Sequence, residues 1–161
     1  MDDIIKTLLE EKNSLAKTDI QAHMDFLKKA GKLLHPNHYV IKLAQRWILP
    51  LTTCQIWSKK EGIVKEYLQL LKCLGLGLCK DKARLLFENA NISLATLKHS
   101  FNHGSFKKSD FKKVIESEIL PIFNEVRWIL RYDSKTSFEG KLYSVVQSYM
   151  GSLQEFVKSE T

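Results

Sequence analysis

Residues 129–142 read Ile129-Leu130-Arg131-Tyr132-Asp133-Ser134-Lys135-Thr136-Ser137-Phe138-Glu139-Gly140-Lys141-Leu142. An apolar pair, a polar break rich in hydroxyls and a return to apolar residues describe one helix ending and another beginning. Thr136 stands three residues before Glu139, the capping-box spacing in which hydroxyl and carboxylate each satisfy a free backbone N–H of the first turn. Apolar residues recur at Leu142, Val145, Val146, Tyr149, Leu153 and Phe156, which predicts a final helix over about 137–158. Two helices packed against each other across a short polar corner follow from this layout.

The same grammar extends towards the N-terminus. Ser109 or Asp110 opens a helix carrying Phe111, Val114, Ile115, Ile119, Ile122, Phe123, Val126, Ile129 and Leu130. Pro121 interrupts it, so a kink or a fresh helical start is expected there. Asp81 opens another helix, with Leu85, Leu86, Ala90, Leu94, Leu97 and Phe101, which ends at Asn102-His103-Gly104. A helix over about 60–74 carries Ile63, Val64, Tyr67, Leu68, Leu71 and Leu74 and stops at Gly75-Leu76-Gly77.

Nearer the start, about 3–13 shows a stripe of Ile4, Ile5, Leu8 and Leu9. Thr18 and Gln21 repeat the capping-box spacing before Ile20, Met24, Leu27, Ala30, Leu33 and Leu34. His35-Pro36-Asn37 ends that helix, because the residue before proline is pushed out of the α region. Asn37 is the expected N-cap of a helix with Val40, Leu43, Ala44, Trp47, Ile48 and Leu51, ended or kinked by Pro50. No alternating strand-length run competes. The expectation is an all-α fold of about seven antiparallel helices in one domain, 1–161, with pairs over 3–34, 37–74 and 81–132 before the final helix. That spacing suits a tetratricopeptide-like helical-repeat stack or a bundle.

Composition agrees. A chain of 161 residues with 44% hydrophobic and 27% charged residues can bury a core without staples. Cys54, Cys73 and Cys79 make an odd count, which argues against a closed disulfide framework and fits a reducing compartment. Cys73 and Cys79 could pair, but buried free thiols are expected because cysteine behaves as a small hydrophobe in cores. The expected location is cytoplasmic and/or nuclear. The opening Met1-Asp2-Asp3-Ile4-Ile5-Lys6 is unlike a secretory leader, and no apolar run is long enough to span a membrane. The net charge of +7 comes from lysines spread through the chain, at Lys28/Lys29/Lys32, Lys59/Lys60/Lys65, Lys80/Lys82/Arg84 and Lys107/Lys108/Lys112/Lys113. Solvated helix faces account for them, and a nucleic-acid-binding face is the alternative.

Sites with chemistry are scarce. His99 and His103 share a helix face, but with Cys73 and Cys79 they match no common zinc spacing. Gly75-Leu76-Gly77 lacks the strand and the Gly-Lys-Ser/Thr ending of a phosphate loop. The cysteines have no activating partner placed by sequence, and the acidic residues form no catalytic pair. Trp47, Trp57, Trp128, Phe26, Phe87, Phe123 and Tyr132 could line a groove, yet at helical spacing such residues belong to the core. Trp57, near a helix end, is the exception worth inspecting.

Two phrases carry a family resemblance: Leu34-His35-Pro36-Asn37-His38-Tyr39, preceded by Phe26-Leu27-Lys28-Lys29-Ala30-Gly31-Lys32-Leu33, and the corner from Ile129 through Thr136, Glu139 and Gly140. They resemble the carboxy-terminal helical region of SET and MYND domain (SMYD) lysine methyltransferases, especially insect-type members. The family transfers a methyl group from S-adenosylmethionine to protein lysines, in a SET domain with a zinc-binding MYND insert. Neither part is present, so no catalytic, cofactor or metal residue carries over; S-adenosylmethionine and zinc would belong to a missing catalytic half. The resemblance implies a docking domain that walls the substrate cleft, as a truncated gene product, a fragment or a relative that lost its catalytic half. The alternative is a stand-alone basic helical module binding nucleic acid or an unrelated helical adaptor. Its partner would be a protein or an upstream SET domain; nucleic acid is the alternative partner, and no membrane is implied.

Overall fold

The computed structural model describes residues 2–16, 19–49, 57–75, 77–105 and 107–159. Among these the chain is all-α. Its helices are α1 (Asp2–Ser14), α2 (Ile20–Ala30), α3 (Tyr39–Ile48), α4 (Trp57–Cys73), α5 (Lys80–Asn102), α6 (Lys108–Val114), α7 (Leu120–Leu130) and α8 (Phe138–Lys158). A π-helical segment, Ile115–Ile119, joins α6 to α7, so that the described residues form seven rods. The chain divides into two compact units, 1–63 and 64–161.

In the first unit α1, α2 and α3 pack on one another around Leu8, Phe26, Ala30, Val40, Ile41 and Ala44. Lys29 of α2 is paired with Glu11 of α1 at 2.5 Å. The helix expected to reach Leu34 stops at Ala30, where Gly31 caps it and residues 31–33 turn. Leu33 therefore leaves the apolar stripe and is exposed. Asp19, not Thr18, is the N-cap: its carboxylate accepts from the Ala22 N–H at 2.9 Å, while the Gln21 amide donates to Asp25. Thr18 itself lies outside the described residues, as do Pro50 and Cys54 and the side chains of Trp47 and Trp57.

In the second unit α7 is the central rod, packed on both α5 and α8. Ala83, Leu86, Ala90, Leu94 and Leu97 of α5 meet Phe123, Val126 and Leu130 of α7 and Leu142, Val146 and Met150 of α8. Phe123 is fully buried, its ring 6.1 Å from those of both Phe87 and Tyr149. Met150 is in the core, whereas Val145 and Tyr149, read as part of the α8 stripe, are partly exposed.

Pro121 brings the expected fresh start, with an added device. Phe111, Ile115, Ile119 and Phe123 are all buried and are spaced by four. Steps of four overshoot an α-turn by about 40° each. The wider turn at 115–119, closed by the Leu120 N–H on the Ile115 carbonyl, takes up that drift. The four side chains thus stay on one line, and α7 begins with proline in its first turn, where no backbone donor is needed.

α4 ends at Cys73 and turns through Gly75, whose φ of 66° is the left-handed geometry that glycine allows. Leu74 falls past that end and is exposed. No described helix is long and apolar enough to cross a membrane.

Candidate functional site

The corner between α7 and α8 gathers the most chemistry. Leu130 ends α7 in the core, and the chain turns through Asp133–Ser137. The capping box expected of Thr136 and Glu139 does not form. Ser137 is the N-cap, its Oγ accepting from the Gly140 N–H at 3.0 Å, and Thr136 Oγ1 shares a hydrogen bond with Ser134 Oγ at 2.9 Å. The Ser134 carbonyl accepts from both the Ser137 N–H, at 2.9 Å, and the Ser137 hydroxyl, at 2.6 Å. Gly140 is buried hard against this turn.

Glu139 is held elsewhere: its carboxylate accepts from the Arg84 guanidinium on α5. Its own backbone N–H, then Arg84, hold the carboxyl below the usual carboxylate range, against the opposing effect of burial. Arg84 also lies 3.5 Å from Asp81 and 5.0 Å over the Phe138 ring. Lys80, at the start of α5, is paired with Asp133, whose hydrogen bond raises the ammonium pKa. Two ion pairs therefore tie the turn to the first residues of α5.

On the outside of the turn stand Trp128, Tyr132 and Phe138, 48%, 86% and 63% exposed. The Arg131 guanidinium carbon is 4.3 Å from the Trp128 ring centre and 4.6 Å from that of Tyr132. The reading that placed Trp128 and Tyr132 with the core is thus corrected; Phe26 and Phe123 are buried as expected. A signal was available. Along α7 the buried residues are Leu120, Phe123, Val126 and Leu130, and Trp128 lies about 200° from Val126 on a helical wheel.

The other phrase, 34–39, is also a helix-to-helix turn. His38, not Asn37, caps α3: its Nδ1 accepts from the Val40 N–H at 3.3 Å, while His35 Nδ1 accepts from the Asn37 N–H at 3.1 Å. Pro36 lies in the turn, closed by the His38 N–H on the His35 carbonyl at 2.8 Å, and Tyr39 is exposed with its ring 4.8 Å from that of His38. Imidazole nitrogens here serve the backbone.

His99 and His103 do share a face at the end of α5, ring centres 4.3 Å apart. Among the described residues no three metal-ligating side chains converge. The free Cys73 is exposed and Cys79 half-buried, against the expectation of buried thiols: Cys73 closes α4, and Cys79 Sγ caps α5 on the Lys82 N–H in place of Asp81. The lysine clusters are not simply solvated faces either. Lys60 is buried, Lys82 pairs with Glu125 at 2.7 Å, and Lys80, Arg84 and Lys29 have carboxylate partners.

Comparison with protein-family models, curated proteins and solved structures finds no match to this chain.

Proposed function

We propose that this chain is a non-catalytic protein-docking module, the role that its resemblance to the carboxy-terminal helical region of SMYD methyltransferases implies. Tetratricopeptide-like stacking, a cytoplasmic or nuclear setting, and a place beside a SET domain whose substrate cleft it would wall belong to the same proposal. The observation that carries it is the outer side of the α7–α8 corner. Trp128, Arg131 and Tyr132 are the residue types that dominate the energetics of protein interfaces, and here they stand in solvent beside a tightly bonded turn. Exposed aromatic rings mounted on buried helices lose little freedom when a partner covers them.

Quantitative capture from cell extract on the immobilised chain, repeated with Trp128→Ala/Tyr132→Ala, tests the reading. A partner that binds the wild-type chain saturably, that binds again as a purified protein, and that the double variant loses is the expected result. A partner retained undiminished by the variant, or methyl transfer from labelled S-adenosylmethionine by the purified chain, overturns it.

A further inference from the structure

We infer that the partner of the α7–α8 corner is an acidic protein segment bearing an apolar anchor, with Arg131 as the receptor of one of its carboxylates. This inference rests on the docking reading and adds the chemistry of the occupant.

The distribution of charge is the first reason. The carboxylates of the corner are already committed, Asp133 to Lys80, and Glu139 and Asp81 to Arg84. Arg127, Arg131, Lys135 and Lys141 are all exposed, and no ion pair among the described residues engages them, whereas Asp133 and Glu139 are both engaged. The stretch 127–141 therefore carries positive charge beyond what the fold's ion pairs consume. Such a field draws acidic partners and excludes basic ones.

The state of Arg131 is the second. Its guanidinium lies over two ring faces, which restricts its rotamers without using its N–H donors. A guanidinium held by its face still offers the planar fork that grips a carboxylate through two parallel hydrogen bonds. Ordering that side chain in advance lowers the entropy lost on binding.

The rings make the third. Trp128 and Tyr132 flank Arg131 and offer apolar area to whatever covers them, and the exposed Phe138, at the start of α8, lies against Arg84. Covering them removes water from around Arg131, which strengthens its bond to a carboxylate. A nucleic-acid strand would meet the same positive charge, but a guanidinium already lies over one face of each of these rings, and competition by single-stranded DNA separates the two occupants.

A random-peptide phage library panned on the full-length chain tests the inference, followed by fluorescence-polarisation titrations with labelled synthetic copies of the enriched peptides. Enriched sequences should place Asp or Glu beside Leu, Phe or Trp. Arg131→Ala and Arg131→Glu should weaken binding about tenfold or more, and Arg131→Lys, which keeps the charge but not the fork, should restore only part of it. Lys29→Ala, in the first unit, should leave binding unchanged. All three Arg131 variants should melt with the wild-type chain, since the residue is exposed. Enriched peptides without acidic residues, or undiminished binding to Arg131→Glu, refute the acidic occupant and leave docking intact. Displacement of the peptides by mixed-sequence single-stranded DNA at equal concentration refutes it in favour of phosphate. No enrichment at all overturns the docking reading with it.

Discussion

Replacing Gly140 by alanine should damage this protein, although the same change elsewhere on α8 should help it. Alanine is favoured over glycine inside a helix by about 0.8–1.0 kcal/mol. At Gly151, where an added Cβ meets nothing within 4 Å, that gain should be realised. At Gly140 the added Cβ overlaps the Ser134 carbonyl oxygen and lies 2.7 Å from its carbon and 2.9 Å from the Cα of Lys135. These are backbone atoms, so no rotamer change relieves the clash. The turn must move away from the start of α8, which strains the Ser134 carbonyl that Ser137 doubly engages and the cap on the Gly140 N–H. Overpacking of this kind costs about 1–3 kcal/mol, and a weakened cap about 1 kcal/mol more. The helix-propensity gain offsets roughly one of these, leaving a net loss of about 1–3 kcal/mol. For a chain of this size, each kcal/mol moves the melting midpoint by about 2–4 °C. Thermal melts followed by circular dichroism should therefore show Gly140→Ala below wild type and Gly151→Ala above it. Melts in which both variants move in the same direction refute the close approach of turn and helix. Because Tyr132 and Phe138 flank the displaced turn, peptide binding at the corner should weaken in Gly140→Ala and persist in Gly151→Ala.

Other consequences are shorter to state. The depressed carboxyl of Glu139 stabilises the folded chain above its unfolded pKa, near 4.5, and that contribution is lost as pH falls through the lower folded value. Melting midpoints measured downward from pH 5 should thus fall more for the wild-type chain than for Glu139→Gln, and parallel curves would remove the Arg84 pair from the account. Phe123→Ala should cost about 3–5 kcal/mol in urea unfolding, as expected for a fully buried ring; a loss under about 1 kcal/mol would mean the second unit is not built around it. His23 is buried with neither ring nitrogen hydrogen-bonded among the described residues, so His23→Leu should stabilise by about 1 kcal/mol, and a lower midpoint would reveal a partner for the imidazole. Trp128→Ala/Tyr132→Ala should stay within about 0.5 kcal/mol of wild type, since solvent already reaches both rings.

Helical periodicity was sufficient to read the all-α class, because a 3.6-residue repeat of apolar side chains recurs along nearly the whole chain. Cap positions were less legible. Ser134, Thr136 and Ser137 all carry hydroxyls within one turn, and the doubly bonded Ser134 carbonyl selects among them. The 34–39 turn poses the same difficulty, since Asn37 and His38 both offer a side-chain acceptor and only the path of the backbone chooses His38. Residue type also outweighed phase at Trp128, where a large aromatic ring was assigned to the core although its angle on α7 faced away from it. The ion pairs of Lys80 with Asp133 and Arg84 with Glu139 join residues 53 and 55 positions apart, a proximity that no single sequence displays.

The exposure of the corner is a consequence of packing set earlier in the chain. The π segment keeps Phe111, Ile115, Ile119 and Phe123 in line, and that line fixes which side of α7 meets α5 and α8. With Phe123, Val126 and Leu130 turned inward, Trp128 can only turn outward. The chain then reverses within a few residues, so Tyr132 and Phe138 leave the core at the same end. Hydrophobic burial favours hiding all three rings, and a sequence under pressure for stability alone would place polar side chains there. Instead the turn beneath them is fastened by a doubly accepting carbonyl, a hydroxyl cap and two ion pairs to α5. Rigidity below and apolar exposure above is the combination that the proposed docking role calls for, because a preformed surface gives up little entropy when it is covered.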